Sequence, residues 1–338
     1  MQAVRAPFIL LASVSVTGCQ SDPEPTVYSC LSDGLSTEAL WGGAHAEPEL
    51  LFQSGFEEGV RIEPLDSEYS DIVGVDSSVA SLGDWEADLE ADPIGRFKVY
   101  FEEGNDSQRA IELVPDPADA DNQALSFRLH QANVRSLTSA DKGRIQFGLN
   151  NNVALYALSY SVRMRFEQGI GLLSQHPERI TWLTVAEFWN NTANKAFPFR
   201  ITLNVNKEEG VGQPLFWNMH AQTRRSPGQW DTLWHGAEAG VPVPIKSWFT
   251  LHVDLQEGCA GSGRFRVRMT EADGTEHTIV DATNITQHPN DPDPDGFASF
   301  NPVKLYTSGK TIDWVRGQGE DLVILWDDFK LYRGSAAP

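Results

Sequence analysis

The sequence predicts an all-β protein, and three observations carry that expectation. Short segments alternate apolar and polar residues with a period of two, which places one set on each face of a strand. Gly, Asn, Asp and Pro separate these segments at regular intervals, as turns between successive strands require. Long amphipathic helical patterns are absent, so the apolar faces must be buried sheet against sheet, in a sandwich or a barrel.

The chain opens with Arg5, an apolar run from Phe8 to Val16, and Val16-Thr17-Gly18-Cys19. The run is too short to span a bilayer and reads as a secretion signal over residues 1–18. Small residues leading into Cys19 resemble the bacterial lipobox, which implies a lipidated Cys19, an outer-membrane lipoprotein and membrane contact through lipid only; plain secretion is the other reading. Residues 19–49 are rich in Ser, Pro, Glu, Gly and Ala and read as a tether. The remaining 50–338 are long enough for a single sandwich domain.

The formal net charge of −21 excludes nucleic acid as the main partner, because a chain this acidic repels polyanions unless a local basic patch overrides the field. The expected state is a monomer. Besides Cys19 there are only Cys30 and Cys259, which in an oxidising compartment form either a disulfide or two lone thiols.

In chain order, strands are expected from Leu50, then over Arg96–Glu102, Gln108–Val114, Ala124–Leu129, Arg144–Leu149 and Tyr160–Phe166. Three central strands follow at Thr181–Asn190, Pro198–Lys207 and Pro214–Gln222, then Trp248–Leu255, Arg264–Thr270 and Leu322–Tyr332. In the second central strand Phe199, Ile201, Leu203 and Val205 alternate with Arg200, Thr202, Asn204 and Asn206. If the three are neighbours, Glu187, Trp189, Arg200, Thr202, Asn204, Asn218, His220 and Gln222 emerge on one face. By the same alternation Tyr160–Phe166 and Trp248–Leu255 extend that polar lattice, adding Arg163, Arg165, His252 and Asp254. Trp182 and Trp217 are expected in the core.

The opening Phe52-Gln53-Ser54-Gly55-Phe56-Glu57, the central Trp182–Asn191 with Pro198–Leu203, and the closing Trp326-Asp327-Asp328-Phe329-Lys330-Leu331-Tyr332 resemble the concanavalin A-like β-jelly roll. Within that superfamily the chain is similar to polysaccharide lyases and their sugar-binding relatives. The resemblance implies a sandwich of two antiparallel sheets and a polysaccharide ligand. In those lyases a Gln-x-His strand followed by Pro and another polar strand neutralises a carboxylate and abstracts a proton. Here Glu187-Phe188-Trp189 stands in the equivalent place.

A β-elimination lyase needs a group on the uronate carboxylate, a base and an acid. Arg200, Asn218, Gln222 and Arg163 suit the first role, since a guanidinium fork matches a carboxylate. His220 suits the base, with Glu187 beside it, and Tyr306 suits the acid. The bland alternative is a surface Arg200–Glu187 pair and a solvated His220. Trp189 offers a stacking platform for sugar, with Asn204 beside it. Glu86-Ala87-Asp88-Leu89-Glu90 matches the acidic strand of jelly-roll glycanases but reads better as a solvated edge strand. No cofactor is required; Asp291, Asp293 and Asp295 either surround a structural calcium ion or form a solvated turn, and the position that would complete an EF-hand is Pro302. The functions in play are thus a polysaccharide lyase, a lectin-like binding module, a glycoside hydrolase and a structural surface protein.

Overall fold

The computed structural model describes residues 48–334, apart from 92, 136–139, 193–194 and 227–228. The expected signal peptide, Cys19, Cys30 and the tether up to residue 47 lie outside the described residues. Cys259 is disulfide-bonded, and its partner also falls outside them.

The first third of the described chain forms β1 (Glu49–Ser54), β2 (Arg61–Pro64), β3 (Tyr69–Val73), β4 (Arg96–Phe101), β5 (Arg109–Asp116) and β6 (Asp119–Leu129). Next come β7 (Asn133–Arg135), β8 (Ala140–Asn150), β9 (Ala157–Phe166), the short helix α1 (Gln168–Leu172), β10 (Leu183–Asn191), β11 (Phe199–Lys207) and β12 (Leu215–Ser226). The chain closes with β13 (Gln229–Glu238), β14 (Trp248–Gln256), β15 (Arg264–Glu271), β16 (Glu276–Thr283), β17 (Ser299–Ser308), the helix α2 (Gly309–Gly317) and β18 (Leu322–Arg333).

Two antiparallel sheets result, the jelly-roll sandwich that the sequence predicts. One has eight strands in the order β16-β15-β14-β9-β18-β6-β5, with β1 also paired to β18; the other has ten, β13-β12-β11-β10-β17-β8-β4-β3-β2, with β7 also paired to β8. Aromatic side chains from the inner faces interlock across the gap: Phe166 meets Trp217 at 6.0 Å, Phe188 meets Phe265 at 5.7 Å and Phe147 meets Phe329 at 5.4 Å between ring centroids. Tight packing of such rings fixes the two sheets against each other.

Three expectations are corrected. β9 and β14 pair with each other in the eight-stranded sheet, so Arg163, Arg165, His252 and Asp254 belong to the other layer and do not extend the polar lattice. Alternation reveals which residues share a face of a strand but not which sheet that strand joins. Glu86–Glu90 is a run of turns rather than a strand: Asp84 Oδ1 accepts from the backbone N–H groups of Glu86 and Ala87 at 3.0 and 2.9 Å, and such local bonds compete with a sheet ladder. Trp182 is half-buried, whereas Trp217 is in the core as expected.

Candidate functional site

Along β10, Phe188 points into the core while Glu187 and Trp189 leave on the outer face of the ten-stranded sheet. The register then carries the polar residues across in rows. Trp189 lies opposite Arg200, Arg200 opposite Gln222 and Gln222 opposite Thr232. Glu187 lies opposite Thr202, Thr202 opposite His220 and His220 opposite His235. Thr184, Asn204 and Asn218 form a third row. Directly paired residues share a face, so the structure brings together Glu187, Trp189, Arg200, Asn204, Asn218, His220 and Gln222.

On the far side of β10 sits β17, which sequence periodicity missed. Pro302 interrupts its alternation, and the register shifts between Phe300 and Val303 where that proline stands; proline is tolerated within a sheet at such irregularities. Beyond it, Lys304, Tyr306 and Ser308 face outward, opposite Gln146, Arg144 and Lys142 of β8, and Thr184 lies opposite Tyr306. The clean alternation of Lys142, Arg144 and Gln146 with Gly143, Ile145 and Phe147 was the available signal for these residues.

The face is thus a layer of cations around one buried acid and one phenol. Glu187 accepts from Arg200 Nη1 at 3.0 Å and pairs through its other oxygen with Lys304, whose side chain is almost entirely buried. Burial pushes the Glu187 carboxyl up, but the Lys304, Arg200 and Arg144 cations overcome it and hold the group down at about 2. Burial in turn pulls the Lys304 ammonium down to about 8 against the attraction of Glu187. Tyr306 accepts from Lys142 Nζ at 2.9 Å and lies beneath the Arg144 guanidinium, 4.0 Å from the ring centroid. Arg144 is oriented from behind by Glu102 at 3.0 Å. Trp182 packs against Tyr306 at 4.5 Å between centroids.

Arg200 is locked in place. Its Nε and Nη2 donate to Gln222 Oε1 at 3.1 and 2.8 Å, and its guanidinium covers the Trp230 ring at 3.8 Å. Trp189 meets Trp230 edge-on at 5.6 Å and stays half-buried. The Glu187–Arg200 pair is therefore a buried contact rather than the surface pair of the bland reading. His220 is half-buried, 6.5 Å from His235 between ring centroids. Burial, then the charges of His235 and Arg200, lower its imidazole below the usual range, so it is neutral near pH 7.

Asn204 is buried and occupied, since it accepts from Thr184 Oγ1 at 2.8 Å and donates to Thr202 Oγ1 at 3.0 Å. Asn218 is 8% exposed, and its Oδ1 is buried without a hydrogen-bond partner. Arg163 lies in the other sheet, paired with Asp327 at 2.7 Å and Asp116 at 3.1 Å. Arg165, Arg266 and Arg268 are likewise in the eight-stranded sheet, paired with Glu167, Asp281 and Asp254, so they form no positive groove with Arg200. Asp291 is buried, whereas Asp293 and Asp295 are exposed, and all three lie in the loop that precedes β17.

No known protein family matches the chain, and no curated protein matches it. Solved structures similar to it include the alginate lyase Aly36B, 14% identical, with 87% of this chain and 100% of that chain covered and a TM-score of 0.45. An endo-β-1,4-glucuronan lyase from the fungus Trichoderma reesei is 13% identical, with 67% and 88% covered and a TM-score of 0.37. The exoplasmic/lumenal domain of VIP36, in a Ca2+/Man3GlcNAc-bound form, is 12% identical, with 74% and 87% covered and a TM-score of 0.37.

Proposed function

We propose that the outer face of the ten-stranded sheet binds an acidic polysaccharide and cleaves it by β-elimination, with Tyr306 and Lys142 at the reacting centre. The observation that carries this reading is the gathering of Lys142, Arg144, Lys304 and Arg200 around Tyr306 and Glu187 in a chain whose net charge is −21. Four cations against the two carboxylates Glu187 and Glu102 leave this face locally positive, which is what a uronate requires. The polar rows run from β8 to β13, five strand spacings or about 24 Å, room for several sugar units. Trp189, Gln222, Asn218 and His220 then contact units away from the break.

In this reading Arg144, whose side chain is 21% exposed, receives the uronate carboxylate, and its charge stabilises the electron pair that develops when the adjacent C5 proton leaves. Lys142 and Tyr306 share a hydrogen bond, so the deprotonated member takes the C5 proton and the protonated member returns one to O4. The C4–O4 bond breaks as the C4–C5 double bond forms. His220 lies three strand spacings from β17, about 14 Å, too far for the same sugar atoms to reach both groups. Only a reaction centred on Arg200 and Asn218 would use it as the base.

Two variants separate these centres. Tyr306→Phe should lower turnover on uronate polymers, read as unsaturated product absorbance, by about 100-fold or more while affinity electrophoresis still shows retardation. His220→Ala should leave turnover within a few-fold; the reverse pattern moves the chemistry to His220. A binding module without chemistry is favoured by one observation, that Arg200 and Lys304 are already bonded to Glu187 and Gln222. Retardation by uronate polymers with no product from any of them would establish it.

A further inference from the structure

Where β10 ends, acidic side chains gather, and the exposed Lys195 acts on Asp295 without forming an ion pair. Glu257, one residue past β14, is 1% exposed, and Asp291 is 4% exposed. Asp295 lies in the same loop as Asp291, and the charges of both raise the Glu257 carboxyl. No ion pair among the described residues involves Glu257, Asp291, Asp293 or Asp295. Burying carboxylates together in this way is costly unless something positive joins them. Burial first, then these neighbouring charges, push Glu257 up to about 7.

A second observation lies beside Glu257. Asn190 is fully buried, and its Oδ1 has no hydrogen-bond partner. Its Nδ2 bonds Glu257 Oε1 and donates to the Gly296 carbonyl at 3.3 Å. The loop that supplies Asp291 and Asp295 is rigidly placed. Gly296 donates to Glu257 Oε2 at 3.0 Å, and with φ at +94° an added Cβ would fall 2.8 Å from the Leu155 backbone. Asn191 Nδ2 donates to Asp291 Oδ2 at 2.8 Å, so two adjacent carboxamides occupy carboxylate oxygens.

We propose that Glu257, Asp291, Asp295 and the Asn190 carboxamide oxygen form a binding site for a divalent cation of the calcium type. The donors are all oxygen, the set favoured by a hard cation that tolerates irregular geometry. His288 is not offered to a metal through Nδ1, which accepts from the Asn290 N–H at 3.1 Å. Among the described residues no three acidic, histidine or cysteine side chains already form a metal cage. Binding therefore involves turning the Asn190 carboxamide, which exchanges its nitrogen for its oxygen toward Glu257, and closing Asp295 from the exposed side. The linear Asp291-Pro292-Asp293-Pro294-Asp295 motif contributes only its two ends, joined by residues from two other segments. A cation here ties the loop before β17 to the end of β10, one residue from Trp189, and the site stands whether or not the outer face cleaves glycan.

The test uses the full chain after treatment with a chelator. Calorimetric titration with Ca2+ should show one saturable site, and Tb3+ bound there should gain luminescence sensitised by Tyr156, whose backbone carbonyl accepts from the Glu257 N–H at 2.8 Å. Glu257→Gln should abolish both signals. Asp295→Asn, at an exposed position, should weaken Ca2+ affinity about 10-fold, and Asp273→Asn in the exposed turn between β15 and β16 should leave it unchanged. Absence of saturable binding up to millimolar Ca2+, or equal binding by the wild-type chain and both Glu257→Gln and Asp295→Asn, overturns the proposal.

Discussion

Glu187 shows what a single side chain contributes to this face. Two cations compete for its oxygens in a site with little water, and removing one member of such a pair leaves the other charge buried and uncompensated. Glu187→Gln should therefore lower stability by about 3–5 kcal/mol at pH 7, measured by urea unfolding. The folded-state value of about 2 lies below the ordinary 4.5, so the carboxylate's contribution is complete above that ordinary value and disappears as pH falls toward 2. The wild-type and Glu187→Gln stabilities should converge across that window, and a constant gap would refute the assignment. Much at this scale was legible: parity placed Glu187, Trp189 and Arg200 on one face. That Arg200 would be bonded to Gln222 and stacked on Trp230 was not, because Trp230 comes from β13, a strand whose alternation is weak.

The strands themselves were read most securely where both faces have clear chemistry. β11 was expected over Pro198–Lys207 and forms Phe199–Lys207; β18 was expected over Leu322–Tyr332 and forms Leu322–Arg333. β17 escaped because Pro302 and its irregular register break the period, and with it went Lys304 and the placement of Tyr306. β9 and β14 were read as strands but assigned to the wrong layer, a distinction that hangs on contacts far apart in sequence. The face assignment of β10 can be checked by unfolding. Phe188→Ala, which empties a core position against Phe265 and Tyr160, should cost about 3–5 kcal/mol. Thr232→Ala, at an exposed position of the outer row, should stay within about 0.5 kcal/mol. Equal losses would mean that the strand parity is wrong.

Over the whole molecule, the net charge of −21 and the positive cluster on one face act at different distances. A polyanionic oligosaccharide is repelled until it comes within about 8–10 Å, the screening length near physiological salt, and only then meets Lys142 and Arg144. Moderate salt should therefore raise the association rate by weakening the long-range repulsion, while the dissociation rate rises as the contacts themselves are screened. Stopped-flow measurements at several ionic strengths can resolve the two; an association rate that falls steadily with added salt would show that the cluster dominates at every distance.

The first and last strands of the described chain lie side by side, with Glu49 opposite Arg333 and Ser54 opposite Phe329. Both ends of the described chain thus emerge together from the eight-stranded sheet, not from the one that carries Lys142, Arg144, Arg200 and Lys304. A short peptide bridge from Gly334 to Pro48 could close the backbone into a ring, and the exposed turn at Glu208–Gln213 offers a place to reopen it. Whatever precedes Pro48 or follows Gly334 joins the fold at one strand pair of the eight-stranded sheet.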